Sequence, residues 1–194
     1  MNTKETNTLS IDNVLEKPYN TLSQWNLSDI FIPRELKELA TACNPKNSLE
    51  LGCGLGRFSS FMAKQGINAT GIDFSSEAIE KATKRVADNQ FKPTFMSGDV
   101  NSLNILTETF DISFDTGYFQ CLHEDEQQQY VSEVARLLKP GAVHLLWATD
   151  SLLSDLKFNL EYIINIFEKE FQLVSSLFSR RRIMPSHWYW FVRK

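Results

Sequence analysis

Apolar residues recur along this chain in two alternating rhythms, and the alternation outlines the fold. Pro33 opens a segment in which Leu36, Leu39 and Ala40 fall at helical spacing, with the proline placed where a first turn tolerates it. That segment ends near Asn44-Pro45. The short apolar run Leu49 to Leu51 carries one acid, Glu50, and breaks into Gly52, Gly54 and Gly56. Phe58, Phe61, Met62 and Ala63 follow on a helix that reaches about Lys64 and closes at Gly66, a suitable C′ residue. Asn68 to Asp73 reads as a second strand with an acid at its carboxyl end. Ser75 and Ser76 are candidate N-caps for a helix over Glu77 to Ala87, striped by Ala78, Ile79, Ala82 and Val86. Thr94 to Ser97 forms a third strand, ending in Gly98-Asp99-Val100. Phe110 to Asp115 forms a fourth, broken by Thr116-Gly117.

Glu124 to Leu138 is the clearest helix. Tyr130, Val134, Leu137 and Leu138 share a face, acids crowd the first turn, and Arg136 and Lys139 sit in the last, all complementing the helix dipole. Pro140-Gly141 terminates it. Val143 to Trp147 is a continuous apolar run, the pattern of a parallel strand covered on both faces. A helix over about Leu156 to Phe167 and two closing strands, Gln172 to Phe178 and His187 to Val192, complete the series. Strands alternating with helices predict an α/β fold, a doubly wound, Rossmann-like sheet with right-handed crossovers. Residues 1–24 are polar and are expected to be a flexible arm or lid, and 25–194 one domain. Tyr19 and Trp25 either pin that arm to the domain or belong to a flap over a cleft.

Composition narrows the class. At 194 residues, 42% hydrophobic and 23% charged, the chain suits a single globular domain with a substantial core. A net charge of −4 argues against a nucleic-acid partner. Three cysteines, Cys43, Cys53 and Cys121, are scattered without a C-x-x-C pair, as expected for reduced thiols. No run is long enough to span a membrane and no signal-peptide segment opens the sequence, so a cytoplasmic protein is expected. No cluster has metal-ligand spacing, and no metal is expected.

Ligands of open α/β sheets bind beyond the carboxyl ends of the strands. Glu50 and the Gly52–Gly56 turn, Asp73, Asp99 and Asp115 all fall there. Strand, glycine turn, helix presents backbone N–H groups and a helix N-terminus to a ligand. The spacing Glu50-x-Gly52-x-Gly54-x-Gly56 is one residue shorter than the dinucleotide fingerprint and lacks the Gly-Lys-Ser/Thr of a P-loop. Asp73 can accept hydrogen bonds from two ribose hydroxyls, a role shared with nicotinamide enzymes. Phe74 beside it can pack on an adenine face. Asp99 can accept from an exocyclic amine, with the Val100 N–H donating to the ring. Glu50 has no partner in sequence and is expected to hold the glycine loop through backbone N–H groups.

The segments Leu49-Glu-Leu-Gly-Cys-Gly-Leu-Gly, Gly71-Ile-Asp-Phe-Ser, Ser97-Gly-Asp-Val and Leu138-Lys-Pro-Gly141 resemble the successive motifs of class I S-adenosylmethionine-dependent methyltransferases. Phe110 to His123 more narrowly resembles the fourth-strand segment of the bacterial thiopurine/tellurite-type group. The resemblance implies a seven-stranded sheet ordered 3-2-1-4-5-7-6 with strand 7 antiparallel, and S-adenosylmethionine as cofactor. It places Trp25, Cys53, Asp115 and Thr116 with the glycines and acids around the cofactor.

The expected activity is methyl transfer to a small-molecule acceptor through sulfur, oxygen, nitrogen or a chalcogen. A catalytically silent S-adenosyl-ligand binder and a nicotinamide-dependent oxidoreductase are the alternatives. The Asn/Asp-Pro-Pro-aromatic motif and the Pro-Cys nucleophile of DNA methyltransferases are both missing. A thiolate or chalcogen oxyanion needs no general base, whereas a hydroxyl or ammonium acceptor does, and His123 is the candidate. Tyr19, Tyr118 and Phe119 are candidates for the acceptor pocket. His144 alternates within a strand and reads as a core residue, and Arg180-Arg181-Arg182 as a solvated edge.

Overall fold

A computed structural model describes residues 32–42, 44–104, 106–149, 159–179 and 186–194. In chain order the elements are α1 (Arg34–Thr41), β1 (Asn47–Leu51), α2 (Arg57–Lys64), β2 (Asn68–Asp73), α3 (Ser76–Arg85), β3 (Thr94–Ser97) and β4 (Phe110–Asp115). A short 3-10 turn at Phe119–Cys121 leads to α4 (Glu124–Leu137), β5 (Leu138–Thr149), α5 (Leu160–Phe167), β6 (Phe171–Ser179) and β7 (Ser186–Arg193). The seven strands form one sheet in the order β3-β2-β1-β4-β5-β7-β6. Strands β1 to β5 pair in parallel, and β7 runs antiparallel to both β5 and β6. This is the architecture that the resemblance implies. Ile32–Lys194 is a single compact unit.

Side-chain alternation along the strands divides the core into two layers. On one face Leu36, Leu39, Phe58 and Met62 of α1 and α2 pack with Ile112, Phe114, Leu145 and Trp188. On the other, Tyr130, Val134, Ile163 and Phe167 of α4 and α5 pack with Leu49, Phe110, Tyr189 and Phe191. His144 lies inside this second layer, as its strand position suggested. Its Nδ1 is 2.8 Å from the Ser113 Oγ, and its ring stacks on Phe167 and Phe191.

One junction departs from the sequence pattern. Pro140-Gly141 was expected to separate helix from strand, yet β5 starts at Leu138, the residue after α4. The pairing with β4 shifts register between Phe110↔Leu138 and Ile112↔Val143, so the proline falls at an irregularity where no ladder N–H is required. Proline and glycine there shape a strand rather than end a helix. The connection from β3 to β4 is fastened to α4 instead. Arg136 donates to the Leu103 and Leu106 carbonyls, and the Glu133 carboxylate accepts from the Leu103 N–H.

Candidate active site

The sheet changes direction of growth between β1 and β4, and the glycine turn rises from the carboxyl end of β1 at that switch point. Gly52, Gly54 and Gly56 all have positive φ, +68°, +51° and +68°. At two of them the absent side chain also makes room. A Cβ on Gly52 would stand 2.5 Å from the Tyr118 Cβ, and one on Gly56 would stand 2.1 Å from the Phe95 ring. Gly52 thus lets the β4 loop approach the turn, and Gly56 lets α2 start against the sheet.

The acids divide this work differently from the expectation. Glu50 Oε2 accepts from the Ser59 N–H at 2.7 Å and the Ser59 hydroxyl at 2.5 Å, so it clamps β1 to the first turn of α2. Asp73 holds the glycine turn itself: its Oδ2 accepts from the Gly54 N–H at 2.8 Å, and its Oδ1 from the Ser75 N–H at 3.0 Å. Half-buried Phe74 adjoins it, and Asp99 is exposed at the end of β3, where it accepts from the Asn101 N–H. The Val100 side chain is buried in the core, and Cys53 is buried within the turn. Burial pushes the Cys53 thiol far up, which makes it a packing residue rather than a nucleophile.

Two expectations are corrected at β4. Asp115, expected to face a cofactor, points into the protein. It accepts from the Gly117, Tyr118 and Phe119 N–H groups at 2.8, 2.7 and 2.9 Å, and from the Tyr130 hydroxyl at 2.8 Å. Four donors fill a carboxylate, so Asp115 shapes the turn. Phe119, expected in an acceptor pocket, is fully buried between Tyr130 and Phe167, because that turn directs its ring inward. Thr116, Tyr118 and Gln120 remain half-buried on the turn. The Tyr118 ring stacks on Tyr130 beside the glycine turn, a wall of the cradle rather than part of a remote pocket.

His123 is exposed at the start of α4, where its N–H donates to Glu126 Oε2 at 2.8 Å. Tyr19, Trp25 and the three consecutive arginines lie outside the described residues. The residues that sequence reasoning missed are Ser59, Tyr130 and Gln120. Each acts by meeting a strand end distant in sequence, and no local spacing announces that.

Neither Glu50 nor Asp115 meets a lysine or arginine among the described residues. Burial pushes the Glu50 carboxyl up to about 8, against the pull of the Ser59 hydrogen bonds, and negative Asp73 and Asp115 add to the rise. Burial likewise raises Asp115 to about 6. A raised carboxyl stabilises the fold when protonated, so Glu50 favours folding progressively as pH falls from about 8 toward its unfolded value of 4.5. Burial lowers His144 from 6.5 to about 3, so His144 costs stability only as pH falls below 6.5. The ligand-free protein should therefore melt at higher temperature as pH falls from about 8 to 6.5, and Glu50→Gln should flatten that rise. Thermal melts across this range check it; an unchanged slope in the variant would assign the titration to another group.

Residues 49–141 match the family model described as a methyltransferase domain. That stretch runs from the glycine strand through the β4 turn into β5. The matched stretch is just under half of the 194 residues and holds the glycine turn and all four strand-end acids. Among curated relatives, phosphoethanolamine N-methyltransferase 1 of Triticum aestivum is 28% identical over 145 residues, covering 74% of this chain and 25% of that protein. The chain thus spans about a quarter of that relative's length. Among solved structures, the N-methyltransferase NodS from Bradyrhizobium japonicum, in complex with S-adenosylhomocysteine, superposes with a TM-score of 0.77 at 18% identity, covering 94% of this chain and 98% of that one. A TehB-like S-adenosylmethionine-dependent methyltransferase from Corynebacterium glutamicum superposes with a TM-score of 0.71 at 18% identity, covering 95% and 98%. At that identity the superpositions speak for the fold alone. Among the described residues, no helix is long and apolar enough to cross a membrane.

Proposed function

We propose that the protein transfers the methyl group of S-adenosylmethionine to a small-molecule acceptor. The observation that carries this reading is the cradle at the sheet's switch point, in which Asp73 fixes the glycine turn and exposed Asp99 stands at the end of the neighbouring strand. The residues fit the cofactor. Half-buried Phe74 beside Asp73 suits an adenine face. Asp73 would take the ribose hydroxyls, Asp99 and the Val100 N–H the adenine edge, and Gly52–Gly56 the close approach of the backbone. S-adenosylmethionine supplies an electrophilic methyl on a sulfonium, which an acceptor lone pair displaces in line.

The chain's own contribution is alignment and exclusion of water. Tyr118 walls the turn, and Asp115 holds Tyr118 in place through its backbone N–H. A thiolate or chalcogen acceptor needs nothing further, while a hydroxyl or ammonium acceptor would give up its proton to His123 or to solvent. We infer no nucleic-acid substrate from the acidic balance, and a cytoplasmic location from the free thiols of Cys53 and Cys121.

Asp73→Ala should weaken S-adenosylmethionine binding by about 1–3 kcal/mol, through lost hydrogen bonds to ligand and glycine turn. Calorimetry reads this directly, and wild-type affinity in the variant would refute the ribose role. Turnover to S-adenosylhomocysteine across thiols, phenols, amines, selenite and tellurite tests the activity. Cofactor binding with silence across the panel would leave a binding module, and binding of NAD alone would overturn the cofactor.

A further inference from the structure

With the adenosine over the ends of β2 and β3, as proposed above, the methyl acceptor would approach over the ends of β4 and β5. Among the described residues there, Gln120 has a side-chain donor group that bonds nothing in the protein. Gln120, on the 3-10 turn after β4, reaches across to β5, where its Oε1 accepts from the Thr149 N–H at 2.9 Å. A backbone N–H can bond only the oxygen of the amide, so this contact fixes which way the amide faces. The nitrogen is therefore turned back toward Gly117. A Cβ placed on Gly117 would lie 3.5 Å from Gln120 Nε2 and 3.5 Å from the Trp147 ring edge. Among the described residues nothing accepts from Nε2, which is reachable from solvent although the residue is half-buried. The bare backbone of Gly117 is thus flanked by the Trp147 ring edge and by the two neutral N–H donors of Gln120. Asp115, by accepting from the Gly117 N–H, keeps that backbone in position.

We propose that Gln120 Nε2 seats the methyl acceptor by donating to an oxygen on it, making Gln120 the residue that selects oxygen-bearing acceptors. A neutral donor suits an acceptor whose nucleophilic atom neighbours a hydroxyl, carboxylate or phosphate oxygen. It offers nothing to an acceptor that carries only a thiol or an alkyl amine. This inference rests on the methyl-transfer reading above.

Gln120→Glu is the discriminating variant, because a carboxylate keeps the bond to the Thr149 N–H while replacing both donors by an acceptor. Gln120→Met removes the donors without adding charge. Wild type and both variants are assayed with catechol, phosphoethanolamine, thiophenol and butylamine, alongside calorimetry with S-adenosylmethionine and thermal melts. The expected result is a KM raised about tenfold or more for catechol or phosphoethanolamine in both variants. S-adenosylmethionine affinity should stay at wild-type level in both, and the melting temperature should hold in Gln120→Glu. Unchanged KM values in an active enzyme overturn the role of Gln120 and leave methyl transfer standing. Equal loss of cofactor affinity and turnover makes Gln120 a brace for the β4 turn and likewise overturns the proposal, as does wild-type turnover confined to thiophenol or butylamine. Cofactor binding with no turnover of any acceptor removes the methyl-transfer reading, and this inference with it.

Discussion

Gly56→Ala is expected to destabilise the protein by about 2–5 kcal/mol, from about 1–2 for a left-handed backbone and about 1–3 for overpacking. The new methyl would arrive 2.1 Å from the Phe95 ring, so the ring, β3 or the start of α2 must move. Gly66→Ala is the internal comparison. Gly66 has φ +82° but nothing within 4 Å of a new Cβ, so only the backbone strain applies, about 1–2 kcal/mol. Chemical denaturation of the two variants separates conformation from contact. Equal losses would mean that the Phe95 ring yields freely and that the close approach of α2 to the sheet carries no energy.

Asp115→Asn should cost about 2–4 kcal/mol, although the change is one atom in size. The carboxylate accepts from four donors, and an asparagine has only one oxygen to offer them. If that oxygen serves Gly117 and Tyr118, the amide nitrogen faces the Phe119 N–H, donor against donor, in a fully buried site. The Tyr130 hydroxyl can rotate to accept, which limits the loss. Tyr130→Phe should therefore cost only about 1 kcal/mol, and the two changes should be non-additive because they share one bond. Midpoint shifts in denaturant read all three variants. A wild-type midpoint for Asp115→Asn would show that the buried carboxylate is already protonated and short of acceptor capacity.

The layered sheet was legible because nearly every strand and helix carries its own periodic stripe. The positions of Glu50, Asp73, Asp99 and Asp115 at strand ends could also be read from the breaks after each apolar run. What each acid bonds could not. Glu50 and Asp73 look equivalent in sequence, yet one meets Ser59 on α2 and the other meets Gly54 across the β1–β2 gap. Asp115 looked like a third ligand-facing acid. Its inward orientation depends on Tyr130 arriving from α4, a contact between residues that no short-range rule connects. Phe119 fell with it, since the turn that Asp115 shapes decides which aromatic faces the core. The Pro140-Gly141 junction misled for a related reason: these residues mark an irregular backbone, and only the neighbouring strand determines whether that is a break or a bulge.

The Glu50–Ser59 clamp bears on how quickly a ligand could engage. With β1 tied to the first turn of α2 and Asp73 gripping Gly54, the loop between them is fastened at both ends before anything binds. An incoming nucleoside would meet a rigid rim and would not have to organise it, so association should not wait on rearrangement of this loop. Any slow step in loading the protein would then belong to another part of the chain.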